Sequence, residues 1–127
     1  MVSVLIDTDV LIDVMRNKEL LWEMQLRGSA ISIITLYEYL FGECYIGKDI
    51  KTVKESLEKI FQVIDLDQQI ICKAIEIDVY LTKNGEKMSI RDLIIGATAI
   101  VYDLMLVTRN VEHFERLKKF GLKIERS

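Results

Sequence analysis

The chain has 127 residues, half of them hydrophobic, and a formal net charge of −3 at pH 7. This length predicts one domain, residues 1–127, with a substantial buried core. The negative charge argues against nucleic-acid binding driven by overall charge, and no apolar run approaches the ~20 residues that cross a membrane. We therefore expect a cytoplasmic protein with no membrane contact.

Histidine and cysteine are too scarce for the commonest catalytic and metal sites. His113 is the only histidine, which excludes any multi-histidine metal site and leaves a single candidate base for a serine or cysteine triad. Cys44 and Cys72 lie in apolar helical patterns without metal-ligand spacing, so we interpret them as reduced core thiols. If the protein is an enzyme, its 20 aspartates and glutamates are the main candidates to carry its chemistry.

The first predicted element is a buried strand that ends in a cluster of acids. The stretch "VSVLI", residues 2–6, has the continuous apolar character of a strand covered on both faces. Asp7 ends this strand, and Asp9, placed before an apolar run, has the position of a helix N-cap. Together with Asp13, this cluster is typical of a strand-to-helix turn and is also compatible with an active-site carboxylate.

Strands and helices alternate along the rest of the chain. The later predicted strands are "SAISIIT", "QVIDLD", "LMLVT" and "LKIE". Helices are predicted from Thr35, over "KDIKTVKESLEKIFQVI", after Asp67, over "SIRDLIIGATAIVYD" and over "NVEHFERLKKFG". This alternation predicts a three-layer α/β/α domain with a mostly parallel central sheet.

Four polar residues are expected at one edge of this sheet. Asp7 ends the first strand, Glu38 follows the second, Asn110 follows "LVT", and Asp92 lies in the first turn of a central helix. Ligands of open parallel sheets bind beyond the carboxyl ends of the strands. Converging carboxylates persist when a divalent cation lies between them, and oxygen ligands suit Mg²⁺ or Mn²⁺. Such an ion can activate a water and neutralise phosphate charge, which suits phosphodiester hydrolysis.

Each of these residues also has a purely structural interpretation. Thr35-x-x-Glu38 and Ser89-x-x-Asp92 both have the form of a capping box, and Asn110 has the position of an N-cap. Spacing alone does not separate capping from catalysis. The functional interpretation therefore depends on the acids meeting at the same edge of the sheet.

Four segments, in this order, resemble the PIN-domain ribonucleases and especially the VapC-type toxins of prokaryotic toxin–antitoxin pairs. They are "LIDTDVLID", "SIITLYEYLFG", "IRDLIIGATAIVYDLMLVT" and "TRNVEHFERL". The resemblance implies an Mg²⁺- or Mn²⁺-dependent endoribonuclease that acts on RNA, is held inactive by a cognate antitoxin, and forms a homodimer. Asp7, Glu38 and Asp92 align with the acidic triad of that family, which predicts them as catalytic residues and metal ligands.

The resemblance also singles out residues around the triad. Many members have a fourth acid at the position of Asn110, whereas others carry asparagine there, and Glu112 is a weaker candidate to compensate. Thr108 matches a threonine of the family that orients a ligand or water. Arg91 and Arg109 flank the predicted site and are candidates for contacting RNA phosphates.

Three other functions compete with this hypothesis. The stretch "DTDVL" resembles the signature of haloacid-dehalogenase-type phosphatases, with Asp7 as nucleophile and Asp9 as general acid, but the later acidic pair of that family is missing. A phosphoacceptor receiver domain would need a lysine near Thr108. A catalytically silent module that binds an antitoxin-like partner or RNA remains open, and Asn110 is its best support.

Overall fold

The fold was taken from a computed structural model that describes residues 1–127. Its five strands are β1 Val4–Ile6, β2 Ser29–Ser32, β3 Gln62–Ile64, β4 Met105–Thr108 and β5 Lys123–Arg126. The helices before the middle of the chain are α1 Thr8–Arg16, α2 Lys18–Arg27, α3 Ile33–Tyr45 and α4 Ile50–Ile60. The later helices are α5 Gln68–Lys83, α6 Ile90–Val101, the single turn α7 Val111–Phe114 and a 3₁₀ segment Glu115–Phe120.

The strands form one parallel sheet in the order β3-β2-β1-β4-β5. The chain winds outward from β1 to β3, then returns to the other side of β1 and continues to β5. The direction of winding therefore changes between β1 and β4, and the carboxyl ends of all strands lie at one edge. In sheets of this kind, ligands bind in the crevice at that change of direction.

Helices cover both faces of the sheet and bury two separate cores. Leu5 and Leu106 point into a core of 18 buried residues with α5 and α6. Ile6 and Val107 point the opposite way into a core of 12 with the helices of the first half. This alternation along β1 and β4 confirms the three-layer α/β/α fold with a parallel central sheet. No helix is both long and apolar enough to cross a membrane.

Two helix starts differ from the predictions. Asp9 was predicted as the N-cap of α1, but the cap is Asp7, whose side chain accepts a hydrogen bond from the Thr8 amide. The predicted capping box of Thr35 and Glu38 is also wrong, because α3 begins earlier and Ser32 accepts from the Thr35 amide. Both strands end at polar residues that cap the following helix directly, which leaves the Glu38 carboxylate available for other contacts.

The interpretation of both cysteines as core residues is wrong. Cys44 is only half-buried and Cys72 is exposed, and both are free thiols. Cys72 lies on the outer face of α5 next to Ile71 and Ile75, which are exposed by 38% and 57%. The apolar stripe of α5 is wider than the face that the sheet covers.

Two contacts close the fold near the chain termini. Gly28 has φ +79°, and its carbonyl oxygen accepts hydrogen bonds from the amides of Ser3 and Val4. A Cβ at this position would lie 2.0 Å from the carbonyl oxygen of Met1. The neighbouring Arg27 forms a two-pronged ion pair with Glu125 of β5, at 2.7 and 2.8 Å.

Candidate active site

Asp7 lies at the change of winding direction and is fixed from two sides. Its Oδ1 accepts a hydrogen bond from the Thr8 amide at 2.8 Å, and its Oδ2 accepts one from the Thr108 hydroxyl at the same distance. Its side chain is only 6% exposed, whereas Thr108 is fully buried. The end of β1 and the end of β4 therefore hold one carboxylate in a defined orientation.

Glu38 reaches the same edge from the second turn of α3. Its Oε1 accepts a hydrogen bond from the Thr8 hydroxyl at 2.5 Å, and its Oε2 accepts one from Nε of Arg91 at 2.7 Å. Burial of Glu38 raises its pKa, but hydrogen bonds from Arg91 and Thr8, together with the Arg91 charge, outweigh burial. The pKa of Glu38 is therefore lower than its ordinary value, and the group is a carboxylate at neutral pH.

Asp92 is placed by the start of α6. Ser89 is the N-cap of this helix and accepts from the Asp92 amide, while the Ser89 hydroxyl donates to Oδ2 of Asp92 at 3.0 Å. Half of the capping box predicted at Ser89 and Asp92 is thus present: the Ser89 hydroxyl caps the Asp92 amide, but the Asp92 carboxylate accepts from that hydroxyl and not from the Ser89 amide. Oδ1 of Asp92 accepts a hydrogen bond from Nη1 of Arg91 at 2.6 Å. Asp92 can therefore contact the N-cap of α6 and take part in the site at the same time.

Arg91 joins all three acids through one guanidinium group. Its Nε donates to Glu38, Nη1 to Asp92, and Nη2 to Asp7 at 3.3 Å. The hydrogen bond with Glu38 makes the largest contribution to raising the pKa of Arg91, and the charge of Asp7 adds to it. Asp7, Glu38 and Asp92 therefore surround a single cationic group.

The three acids offer the oxygen donors that a divalent ion prefers, but these oxygens are too far apart to bind one ion together. The three carboxylates provide hard oxygen donors around a cation, which is the ligand set that Mg²⁺ and Mn²⁺ prefer. No three His, Cys, Asp or Glu side chains in the structure are close enough to hold an ion as they stand. The separation of the carboxylates matches a guanidinium group, which is larger than a metal ion.

His113 is a contact of Asp92 that sequence reasoning missed. Its Nε2 lies 2.9 Å from Oδ2 of Asp92, and its Nδ1 lies 3.1 Å from Nη2 of Arg116. Because an arginine only donates hydrogen bonds, Nδ1 must accept, and we assign the proton to Nε2. His113 thereby donates a hydrogen bond to Asp92. The sequence signalled His113 only as an isolated histidine and gave no indication of its partner.

The remaining predicted site residues fall into two groups. Thr108 contacts Asp7 directly, and its hydroxyl also accepts a hydrogen bond from the Asn110 amide at 3.0 Å. The Asn110 side chain makes no capping hydrogen bond and is exposed. Arg109 pairs with Asp13, and Glu112 pairs with Arg126, so neither of them contacts the three acids.

Two further features surround the acids. The Thr8 hydroxyl contacts Glu38, Thr35 and Arg91, which makes it a central polar group that the sequence marked only as the residue after Asp7. Beside Glu38, a cleft of about 440 Å³ opens between α1 and α3 and is lined by both charged and apolar residues. Of the three acids, only Glu38 borders this cleft.

Several known proteins are similar to this chain in sequence or in fold. The chain is 39% identical over 122 residues to "Ribonuclease VapC1" of Methanocaldococcus jannaschii, covering 96% of this chain and 86% of the relative. The fold is similar to that in a solved structure of DNA-bound VapBC from Salmonella typhimurium, with a TM-score of 0.80, 28% identity, and coverage of 99% of this chain and 98% of that one. It is also similar to that of VapBC-1 from nontypeable Haemophilus influenzae, with a TM-score of 0.79 at 23% identity and the same coverage. The sequence model of the PIN domain matches residues 4–120, and the chain therefore belongs to the PIN domain family.

Proposed function

We propose that this chain is a Mg²⁺- or Mn²⁺-dependent endoribonuclease and the toxin of a cytoplasmic toxin–antitoxin pair, with residues 1–127 forming one PIN domain. The observation that carries the proposal is the convergence of Asp7, Glu38 and Asp92 on one cation. Similarity to a VapC ribonuclease supports the nuclease activity. Membership in the PIN family argues against the phosphatase and receiver alternatives.

The three carboxylates would hold the divalent ion, and each is positioned by neighbours on a different element. A divalent ion at such a site supplies charge neutralisation at the phosphate and a more acidic water. Asp7 is kept in place by Thr8 and Thr108, which leave its carboxylate little freedom to rotate. Preorganised groups of this kind need little rearrangement during the reaction.

RNA contacts are proposed for residues around the acids. Arg109 and Asn110 follow β4 and are exposed, so they can reach a phosphate that approaches the carboxyl edge of the sheet. We assign Arg109 and Arg91 to phosphate binding and Asn110 to the orientation of the substrate or a water. Thr108 was predicted to share this last role, but it is fully buried and acts through Asp7, to which its hydroxyl donates. The chain as a whole is acidic and repels RNA, so attraction of a phosphate depends on individual arginines near the site.

An antitoxin partner is supported by the VapBC complexes among the similar structures and by an exposed aromatic surface on α3. Tyr37, Phe41 and Tyr45 stack along the outside of this helix and are exposed by 69%, 60% and 82%. Large exposed apolar patches mark interaction surfaces. Because Tyr37 is adjacent to Glu38, a partner bound to this aromatic surface would lie next to the active site and is in a position to block it.

The homodimer is proposed to use a different surface, the aliphatic groove between α5 and α6. Ile71, Ile75 and Ile90 are exposed there, and the groove is lined almost entirely by apolar side chains. Interfaces between identical subunits are more apolar than transient interfaces. Light scattering should show a dimer for the wild type and a monomer for Ile75→Asp, and a dimer in both would exclude this groove.

Metal-dependent cleavage of RNA is the decisive experiment for the activity. We expect the purified chain to cleave RNA with Mg²⁺ or Mn²⁺, to lose activity in EDTA, and to regain it when the ion is restored. Asp7→Asn and Asp92→Asn should each lower the rate by at least about a hundredfold, as expected when a preorganised charged group is lost. Circular dichroism should show that both variants remain folded.

Asp9→Asn is the matched control for these variants. Asp9 belongs to the same acidic stretch but is exposed in the first turn of α1 and forms none of the contacts of Asp7. Its substitution should leave cleavage unchanged, whereas a phosphatase with Asp9 as general acid would lose activity. If the wild type binds the ion but does not cleave RNA, the alternative of a catalytically silent binding module is correct.

A further inference from the structure

We propose that Arg91 is a resident cation of the acidic cluster: it neutralises the three carboxylates while no metal is bound and competes with the divalent ion for their oxygens. The inference rests on the proposed function in one respect, namely that a divalent ion binds among these acids. It assigns to Arg91 control over metal affinity, in addition to the contact with RNA proposed above.

The hydrogen bonds of the Arg91 side chain show how completely it uses this position. Each of its three nitrogens donates to a different acid, and Nη2 also donates to the Thr8 hydroxyl at 3.3 Å. The contacts with Glu38 and Asp92, at 2.7 and 2.6 Å, have the length of strong charge-assisted hydrogen bonds. A guanidinium group that is bound on three sides belongs to the cluster and is not a freely moving surface group.

The spacing of the carboxylates indicates why the two cations exclude each other. Mg²⁺ binds oxygens at about 2.0–2.1 Å, which is shorter than the contacts that a guanidinium nitrogen makes. The three acids here are too far apart to hold an ion together. For the ion to bind, Arg91 must leave, and the Glu38 and Asp92 carboxylates must move toward Asp7, which its two hydrogen bonds hold in place.

The charges predict two opposite effects of removing Arg91. Three carboxylates with no cation between them repel one another, so the metal-free protein should become less stable. The same carboxylates are then free to bind a divalent ion, because the positive charge of Arg91 no longer competes with the ion for them. Loss of stability without metal and gain of metal affinity should therefore occur in the same variant.

The position of Arg91 would allow its side chain to contact RNA after the ion has displaced it. The side chain is 35% exposed, whereas that of Asp7 beneath it is 6% exposed, so the guanidinium lies on the solvent side of the cluster. When the ion displaces it, Arg91 is at the entrance where an RNA phosphate arrives. Its contacts with the acids and with RNA would thus follow one another and would not occur together.

Calorimetric titration with Mn²⁺ alone tests the competition without depending on cleavage. We expect Arg91→Gln to bind Mn²⁺ about tenfold more tightly than the wild type, the factor that applies if the cluster is free of the guanidinium in about one molecule in ten. The melting temperature of metal-free Arg91→Gln should be lower than that of the wild type, and Mn²⁺ should raise it by more. Arg91→Lys keeps the charge without the planar fork and should show a smaller gain in affinity.

Arg109→Gln is the control for net charge. It removes the same charge from a nearby arginine whose ion pair is with Asp13, outside the cluster. Its Mn²⁺ affinity should remain within about twofold of the wild type, well below the factor of ten expected for Arg91→Gln. Equal gains in both variants would mean that net charge alone is responsible and would overturn the role of Arg91.

The remaining outcomes separate this inference from the proposed function. If the wild type binds Mn²⁺ and neither Arg91 variant binds it more tightly, the competition is excluded, while metal-dependent cleavage stands. If Arg91→Gln binds Mn²⁺ and the wild type does not, the competition is stronger than expected and the inference holds. If no variant binds Mn²⁺, both the inference and the metal-dependent function are wrong. Should Arg91→Gln fail to fold, the comparison of Arg91→Lys with the wild type decides in the same way.

Discussion

The hydroxyl group of Thr108 donates a hydrogen bond to Oδ2 of Asp7 across 2.8 Å and so connects the ends of β4 and β1. The two residues are 101 positions apart in the chain, and both are buried. Buried polar groups cost free energy unless they are hydrogen-bonded, so each of these residues satisfies the other. The contact therefore serves the stability of the sheet and the orientation of a proposed metal ligand together.

Replacement of Thr108 by valine should weaken both functions. Thr108→Val preserves the shape of the side chain but leaves Asp7 without this donor and the Asn110 amide without its acceptor. We expect a loss of about 1–2 kcal/mol in the free energy of unfolding and a clear loss of metal-dependent RNA cleavage. Chemical denaturation and cleavage assays would measure the two effects.

Thr98→Val is the control for the same chemical change at another buried site. The Thr98 hydroxyl donates only to the carbonyl oxygen of Ile94 within α6, and such contacts add little to helix stability. Its stability and its cleavage rate should stay close to those of the wild type. If Thr108→Val behaves like this control, the contact with Asp7 does not orient the carboxylate.

His113 should act as a positioning residue for Asp92. His113→Ala removes the hydrogen bond to Oδ2 of Asp92, and comparable outer contacts of metal ligands are worth about 10–100-fold in metal affinity. We therefore expect weaker Mn²⁺ binding in a calorimetric titration. His113→Gln keeps a donor of similar reach and should recover part of the affinity. Equal affinities for the alanine and glutamine variants would contradict the positioning role.

Gly28 should be required for the stability of the fold. Alanine at this position would meet the carbonyl oxygen of Met1 and would have to adopt a positive φ angle, so Gly28→Ala should cost more than about 1 kcal/mol in the free energy of unfolding. Gly42→Ala is the matched control because Gly42 is helical and has open space around its Cα. It should be neutral or stabilise the protein by up to about 1 kcal/mol. Similar unfolding curves for the two variants would exclude strain at Gly28.

The ion pair between Arg27 and Glu125 should make stability depend on pH in the acidic range. The hydrogen bond from Arg27 lowers the pKa of Glu125 below its ordinary value. A group whose pKa is lower in the folded state stabilises the protein above its unfolded pKa of about 4.3, and this contribution is lost as the pH falls through the folded pKa.

Because Glu125 is partly exposed, the effect should be at most about 1 kcal/mol. Thermal unfolding of the wild type and Glu125→Gln between pH 7 and pH 3 would measure it. The difference between the two proteins should shrink as the pH decreases below about 4. A constant difference over the whole range would show that the ion pair does not contribute.

Much of the fold could be predicted from the sequence because the hydrophobic patterns are strong. Leu5 and Ile6 point into opposite cores, which explains why the first strand shows no alternation of apolar and polar residues. The helix boundaries were less predictable, since Ser32, Thr35 and Asp7 are all suitable caps and only the end of the preceding strand selects among them. Cys72, on the outer face of α5, was wrongly predicted to be buried, because a sequence pattern does not show how wide the covering layer is.

The candidate site was predictable in its acids and not in their partners. The topology that brings Asp7, Glu38 and Asp92 to one edge follows from parallel strands, which local patterns indicate well. The contacts of Arg91 and His113 depend on side-chain directions across different elements, and no spacing in the chain encodes them. For this reason Arg91 was predicted only as a candidate RNA contact beside the site, and its ion pairs with the three acids were not predicted.

The position of β4 beside β1 has a consequence for protein synthesis. The pairing of Leu5 with Leu106 requires a segment that is synthesised long after β1. Until then, Asp7 lacks the hydroxyl group that orients it, and Asp92 has only recently emerged. The nascent chain would thus assemble its acidic cluster only after β4 has been synthesised and has paired with β1, so the proposed metal-dependent activity would appear after that step.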